Sequence, residues 1–335
     1  MSALVYEGPQ QMPLCRVDLP TLKAGEVLIK VAYSGICGSE LSGYLGKNSL
    51  RKPPLIMGHE FSGHIEQIDQ QAHLQFPDLV VGQVVTANPL ITCGQCLYCL
   101  SGRQQLCQQR KLISAALPGS NAEFVAMPAA SVLPLPTDLP LILGALAEPV
   151  ACAVHTAALL APRPHESALI VGAGPIGLFM IQALQDWGVK TIYCADLNVD
   201  RLAMAEALGA ISVDLSDGRF TDRVEIAVDA VGATATRQAC SAATRAGGRV
   251  AWVGLHEAES LLPINDLIRR EVICYGAFAY TALDFRYALA ALAQKRFWLN
   301  ESWTRVEPLQ NGAACFQELI DGSNAAKIWL TPSQP

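Results

Sequence analysis

The sequence predicts an α/β protein in two parts: a β-rich part, then a doubly wound parallel sheet with helices on both faces. Three observations carry this. Residues 1–150 are rich in Gly and Pro and hold short β-like runs. Residues 165–280 alternate apolar runs with helical patterns. The turn Gly172-Ala173-Gly174-Pro175-Ile176-Gly177 stands between one such run and one such pattern. At 335 residues the chain has room for about two domains.

In the first part, runs such as 26–31 and 80–85, broken by Gly and Pro, predict a mainly antiparallel β domain. In the second, the run 168–171 leads through the glycine turn into a helix to about Trp187. The run 191–195 precedes a helix over 199–208, with Gly209 as its C-terminal stop. Runs at 224–228, 249–253 and 271–275 complete a parallel sheet. Residues 284–335 carry two amphipathic helices. In the second, Leu309, Ala313, Phe316 and Ile320 recur at spacings of four, three and four, and Gly322 ends it. The run 327–330 reads as a strand with no helix after it, expected to rejoin the β domain.

Composition removes several function classes. Hydrophobic residues make up 51% and charged ones 16%, which excludes a disordered chain. The 24 basic and 30 acidic residues give a net charge of −6, which argues against a nucleic-acid partner. A mean hydropathy of +0.27 raises the question of a membrane span. The longest uncharged run, 167–185, is broken by Gly172, Gly174, Pro175 and Gly177, so it reads as strand, turn and helix. No membrane partner is expected. The start, MSALVYEGPQQ, has neither a basic segment nor an apolar one, so no secretory signal is expected. Eleven cysteines then point to a reducing, cytoplasmic location, where clustered cysteines are metal or redox candidates.

Cys93, Cys96, Cys99 and Cys107 form C-x2-C-x2-C-x7-C. Four thiolates this close can close a tetrahedron around Zn²⁺, and the spacing to the fourth cysteine departs from the ferredoxin pattern. A structural zinc in a lobe over 93–107 is expected.

The glycine turn is G-x-G-x-x-G in the strand–turn–helix context its mechanism needs. Gly172 permits the tight turn, Gly174 lets a pyrophosphate reach the backbone, and Gly177 lets the helix pack on the strand. Pro175 and Ile176 open that helix, whose N-terminus attracts phosphate. Asp196 ends the next strand, where a carboxylate accepts ribose hydroxyls and repels a 2′-phosphate, so NAD is favoured over NADP. Arg201, the next basic residue, completes the cofactor-binding set. The competing reading is a plain turn with a solvated Asp.

A second group of metal-ligand types is spread along the chain: Cys37 in Gly35-Ile36-Cys37-Gly38-Ser39-Glu40, His59 and Glu60 after Gly58, and Glu148 before Pro149. A thiolate, an imidazole and one or two carboxylates suit a zinc with an exchangeable position. Taken singly, His59 reads as a structural histidine and Cys37 as a small core residue.

In order and spacing, Cys37-Gly-Ser, Gly58-His59-Glu60, the four-cysteine lobe, Glu148-Pro149 and the glycine turn resemble the zinc-dependent medium-chain dehydrogenases over about residues 1–330. The likeness is to the polyol branch, because Glu148 stands where ethanol-type enzymes have a second cysteine ligand. The resemblance implies a GroES-like catalytic domain over 1–154, a Rossmann NAD-binding domain over 155–290, and a segment over 291–335 returning to the catalytic domain. It implies a catalytic zinc held by Cys37, His59 and a carboxylate, Glu60 or Glu148, and an assembly that is a homodimer or homotetramer. Ser39 would take the proton of the alcohol, with Glu60 or Glu148 as alternative acceptor.

The implied reaction is oxidation of a secondary alcohol of a polyol, sugar acid or sugar phosphate to a ketone. An L-threonine 3-dehydrogenase-like enzyme and a non-catalytic nucleotide-binding relative are the alternatives. One departure matters: Ser42 stands where many relatives carry the histidine that ends a proton relay, and serine is no buffered base near pH 7. Tyr44 either lines the substrate cleft or packs under its loop. Cys152 and His155 share a helical face with Glu148, as extended shell or as core. Lys327 is expected to be an exposed lysine.

Overall fold

The computed structural model describes residues 1–215, 220 and 222–332. It divides into two compact units, Met1–Glu148 with Thr281–Lys295 and Leu299–Pro335, and Pro149–Tyr280 with Arg296–Trp298.

The first unit is built around the strand Glu26–Gly35. Its neighbours Glu60–Ile68 and Phe124–Pro128 run antiparallel to it. The sheet continues through Val84–Ala87 and Val132–Pro134 on one side, and through Lys327–Thr331 and Thr304–Pro308 on the other. With partners on both edges, the strand buries apolar side chains on both faces. Val27, Ile29 and Val31 pack with Phe61, Ile65, Val85, Val125 and Met127. A second core gathers Leu4, Tyr6, Met57, Phe316, Ile328 and Leu330. Gly35 pairs with Glu60 on one side and Trp329 on the other. The sheet thereby brings residues from three distant parts of the chain side by side.

The second unit holds the expected doubly wound sheet. Its strands, all parallel, lie in the order Ile211–Ser212, Thr191–Ala195, Ser167–Val171, Val224–Asp229, Thr244–Trp252 and Ile273–Gly276. The order reverses beside Ser167–Val171, and ligands of such sheets bind at that switch point. The helix Pro175–Asp186 follows this strand directly. The helix Val199–Ala207 stops at Gly209, whose φ of 87° only glycine adopts without strain. Leu169, Val171, Ala227 and Val250 pack in its core. Among the described residues no helix is long and apolar enough to cross a membrane.

Candidate active site and metal centres

Cys37 caps the short helix Gly38–Tyr44, and His59 and Glu60 stand at the start of the strand Glu60–Ile68. One donor atom from each of Cys37, His59 and Glu60 lies within 4.8 Å of the others. Glu148, second residue of the helix Ala147–Leu160, is outside this group of three. Cys152 and His155 follow on the same helix, half-buried and buried.

His59 is oriented by a residue that sequence reasoning passed over. Glu40 is fully buried three residues after Cys37. Its Oε1 accepts from His59 Nδ1 at 2.7 Å, from the Gly58 amide at 2.7 Å and from Ser114 Oγ at 2.6 Å. Binding His59 through Nδ1 leaves Nε2 on the Cys37 side as the atom that could ligate a metal, the arrangement metal-bound histidines adopt. Burial alone would raise the Glu40 carboxyl, but His59, Arg51 and the Ser114 hydroxyl outweigh it and hold it down at about 2. Burial likewise pulls the His59 imidazole down, and the charges of Glu40 and Cys37 more than reverse this, raising it well above its ordinary value.

Lys327 is not the exposed lysine expected from sequence. It is 2% exposed, its Nζ pairs with the Glu60 carboxylate, and it donates to the Ile36 carbonyl at 3.0 Å. The reason is the strand insertion: Lys327 opens a strand with neighbours on both sides. Gly35 leaves the space for this pair, because a Cβ there would lie 2.6 Å from Glu60 Oε2. A lysine heading an otherwise apolar strand was the available signal.

Ser39 Oγ donates to Cys37 Sγ at 3.3 Å and accepts from Arg51 Nη2 at 3.1 Å. Ser42 is half-buried on the same short helix. Tyr44, given above as a candidate substrate residue, belongs to the core. It is 5% exposed, its ring lies 5.5 Å from that of Phe316, and its hydroxyl donates to the Gln10 carbonyl at 3.2 Å. Seven residues past Cys37, at the end of the helix Gly38–Tyr44, it packs inward with the apolar core.

The four-cysteine lobe forms a second donor cluster. Its sulfurs stand 3.5 Å (Cys96–Cys99), 3.6 Å (Cys93–Cys107) and 3.9 Å (Cys93–Cys99) apart. A tetrahedron with Zn–S arms of about 2.3 Å has edges of about 3.8 Å, whereas a disulfide would need about 2.05 Å. Backbone amides of Gln95 and Cys96 lower the Cys93 thiol to about 6, while burial raises that of Cys99 to about 11. None of the eleven cysteines is in a disulfide.

The glycine turn is an open cradle. Gly172 has φ 102°, and a Cβ on Gly177 would fall 1.8 Å from the Gly172 carbonyl oxygen, so the helix can approach the strand only without a side chain. A Cβ on Gly174 would meet nothing within 4 Å. Pro175 takes the first helical position, where its missing N–H is no loss, and Ile176 follows it in the first turn. The Asp196 carboxylate accepts from the Ala173 amide at 2.6 Å and from the Asn198 amide at 2.8 Å, so it lies against the turn. Arg201 is half-buried in the first turn of the helix Val199–Ala207.

Comparison with known proteins agrees with this architecture. Residues 23–137 match the family model described as "Alcohol dehydrogenase GroES-like domain", and residues 175–294 the one described as "Zinc-binding dehydrogenase". The chain belongs to the zinc-dependent medium-chain alcohol dehydrogenase family. Among its relatives is a D-arabitol-phosphate dehydrogenase of Enterococcus avium, 31% identical over 96% of this chain and 94% of that one. A sorbitol dehydrogenase of Arabidopsis thaliana is 32% identical over 92% and 89%. The crystal structure of galactitol-1-phosphate dehydrogenase from Escherichia coli superposes with a TM-score of 0.89 at 25% identity, covering 99% of this chain and 100% of that one.

Proposed function

We propose that this chain oxidises a secondary alcohol of a polyol, sugar acid or sugar phosphate to the ketone, with NAD as hydride acceptor. The observation that carries the reading is the convergence of Cys37, His59 and Glu60, drawn from separate segments, to within 4.8 Å. A thiolate, an imidazole and a carboxylate are a zinc donor set that keeps one position for an exchangeable ligand. Cys37, His59 and Glu60 or Glu148 would hold this zinc, and the four lobe cysteines a second, structural one. Bound there, the catalytic ion would supply a Lewis acid that lowers the pKa of an alcohol oxygen. NAD would lie with its pyrophosphate over Gly174 and its ribose against Asp196.

The chain's own residues supply the rest. Glu40 keeps the His59 ring in one orientation. Lys327 holds the Glu60 carboxylate in the sheet. Ser39 Oγ, already exchanging hydrogen bonds with Cys37 and Arg51, would take the alcohol proton while passing its own on towards the nicotinamide ribose. Glu60 or Glu148 is the alternative acceptor, since Ser42 offers no base to end a relay. Bound NAD would supply the acceptor for the hydride of the carbinol carbon, whose loss gives the ketone.

The names of the relatives support the substrate class. We assign the catalytic domain to residues 1–154, the NAD-binding domain to 155–290 and the returning segment to 291–335. Eleven cysteines without a disulfide fit a cytoplasmic protein, and a homodimer or homotetramer completes the reading. The test is a screen of polyols, sugar acids, polyol phosphates and amino alcohols by NADH absorbance, with Cys37→Ser alongside. Turnover of at least one secondary alcohol, lost in Cys37→Ser, is expected. Full activity in that variant refutes the metal assignment.

A further inference from the structure

Arg51 lies before the strand Leu55–Ile56, and it is 5% exposed. Its Nη2 donates to Ser39 Oγ at 3.1 Å, and Ser39 in turn donates to Cys37 Sγ. Its Nε is buried with no acceptor, and among the described residues no carboxylate forms an ion pair with its guanidinium. Glu40 is near enough to feel its charge, but Glu40 is already engaged by His59, Ser114 and two backbone amides. Room for the side chain comes from Gly43, where a Cβ would lie 2.4 Å from Arg51 Cδ.

This is an unusual use of an arginine. A buried lysine can shed its charge, but a guanidinium stays protonated in proteins. Buried charge without a counter-ion is costly, and removing one partner of a buried pair leaves that cost behind. The planar fork of arginine matches carboxylate and phosphate oxygens. The unsatisfied Nε, on a guanidinium whose nearby carboxylate Glu40 makes no ion pair with it, therefore stands ready for an anionic oxygen beside the hydroxyl that the proposed chemistry uses.

We propose that Arg51 recognises an anionic oxygen group, a carboxylate or a phosphate, carried by the alcohol substrate and held next to Ser39. The inference rests on the reading of Cys37, Ser39 and His59 as the alcohol-oxidising centre. It narrows that reading to sugar acids and polyol phosphates over neutral polyols.

The test is titration calorimetry on the zinc-loaded full chain without NAD, so that binding is read apart from turnover. The probes are glucitol, gluconate and glucitol 6-phosphate, which share a six-carbon skeleton, with inorganic phosphate and acetate as skeleton-free anions. Gluconate and acetate report a carboxylate preference; the two phosphates report a phosphate preference. One anionic class is expected to bind at least about 10-fold more tightly than glucitol. Arg51→Gln should weaken that class by about 10- to 100-fold and leave glucitol within about 2-fold. Arg51→Lys, which keeps the charge, should retain part of the preference. Gly43→Ala, which displaces the guanidinium while leaving its charge, should lose part of it.

Equal binding of neutral and anionic probes, or an Arg51→Gln variant that weakens both alike or neither, overturns the inference. So does failure of every probe to bind in an Arg51-dependent way. Arg51-dependent anion binding with no alcohol oxidised supports the role of Arg51 and overturns the oxidation reading. Oxidation of an alcohol together with anionic-probe binding that Arg51→Gln leaves unchanged overturns the Arg51 inference alone.

Discussion

Replacing Lys327 with methionine keeps the length of the side chain and removes its charge. Lys327 is 2% exposed and Glu60 1%, so the variant leaves a carboxylate in the interior without its cation. Breaking a buried pair from one side costs about 3–5 kcal/mol. For a unit of this size each kcal/mol moves the melting temperature by about 2–4 °C, so a fall of about 6–20 °C is expected. The assay is thermal unfolding by circular dichroism, in chelator-treated protein, because a metal ion would offer Glu60 a second cation. The double variant Lys327→Met with Glu60→Gln removes both charges and should recover at least half of the loss.

The pH dependence of this pair has a definite sign. Burial pulls the Lys327 ammonium down, but the attraction of Glu60 outweighs it and raises it above its ordinary value of 10.5. Its contribution is therefore complete below pH 10.5 and lost as pH rises through the folded value. The gap between parent and Lys327→Met should stay flat from about pH 6 to 9. A single variant that melts within about 1 °C of the parent, or a double variant no better than the single, refutes the reasoning.

Three further outcomes are expected. Gly174→Ala should leave the melting temperature within about 2 °C, because a Cβ there meets nothing, yet weaken NADH at least about 10-fold in a fluorescence titration by filling the pyrophosphate cradle; Gly177→Ala, whose Cβ collides with a backbone oxygen, should melt several degrees lower. Glu40→Gln should lower zinc affinity at the Cys37 group by about 10- to 100-fold in chelator competition and leave the lobe unchanged. Because the Glu40 carboxyl is held down at about 2, its stabilising charge is present above 4.5, and parent and Glu40→Gln should converge in stability as pH falls from there towards 2. Cys99→Ser should reduce bound zinc from about two ions per chain to about one, as read by atomic emission.

What could be read from sequence divides along a physical line. The glycine turn and the cysteine lobe are local: their chemistry depends on residues within one turn or one loop, so spacing alone reports them. The doubly wound sheet was legible for a related reason, since each strand and helix announces itself by its own periodicity. Lys327 and Arg51 were not legible in this way. A charged residue read singly is assigned to solvent, and both are buried by partners that lie far away in sequence or by the absence of a side chain at Gly43. Tyr44 shows the converse case. Its closeness to Cys37 in sequence suggested the cleft, while its contact with Phe316, on a helix near the other end of the chain, decided for the core. Glu40 is intermediate: its position after Cys37 was visible, but its engagement with Gly58, His59 and Ser114 exists only in three dimensions.

The hydrogen bond from Lys327 to Ile36 spans 291 positions of the chain. Closing a loop of that size before the contact can form is entropically costly, and such topologies fold slowly. During synthesis, then, the cysteine, the histidine and the glutamate emerge early, while the ammonium that tethers the glutamate arrives only with the last strand. Until that strand inserts, the carboxylate lacks its buried cation, although the strand itself donates no ligand to the centre.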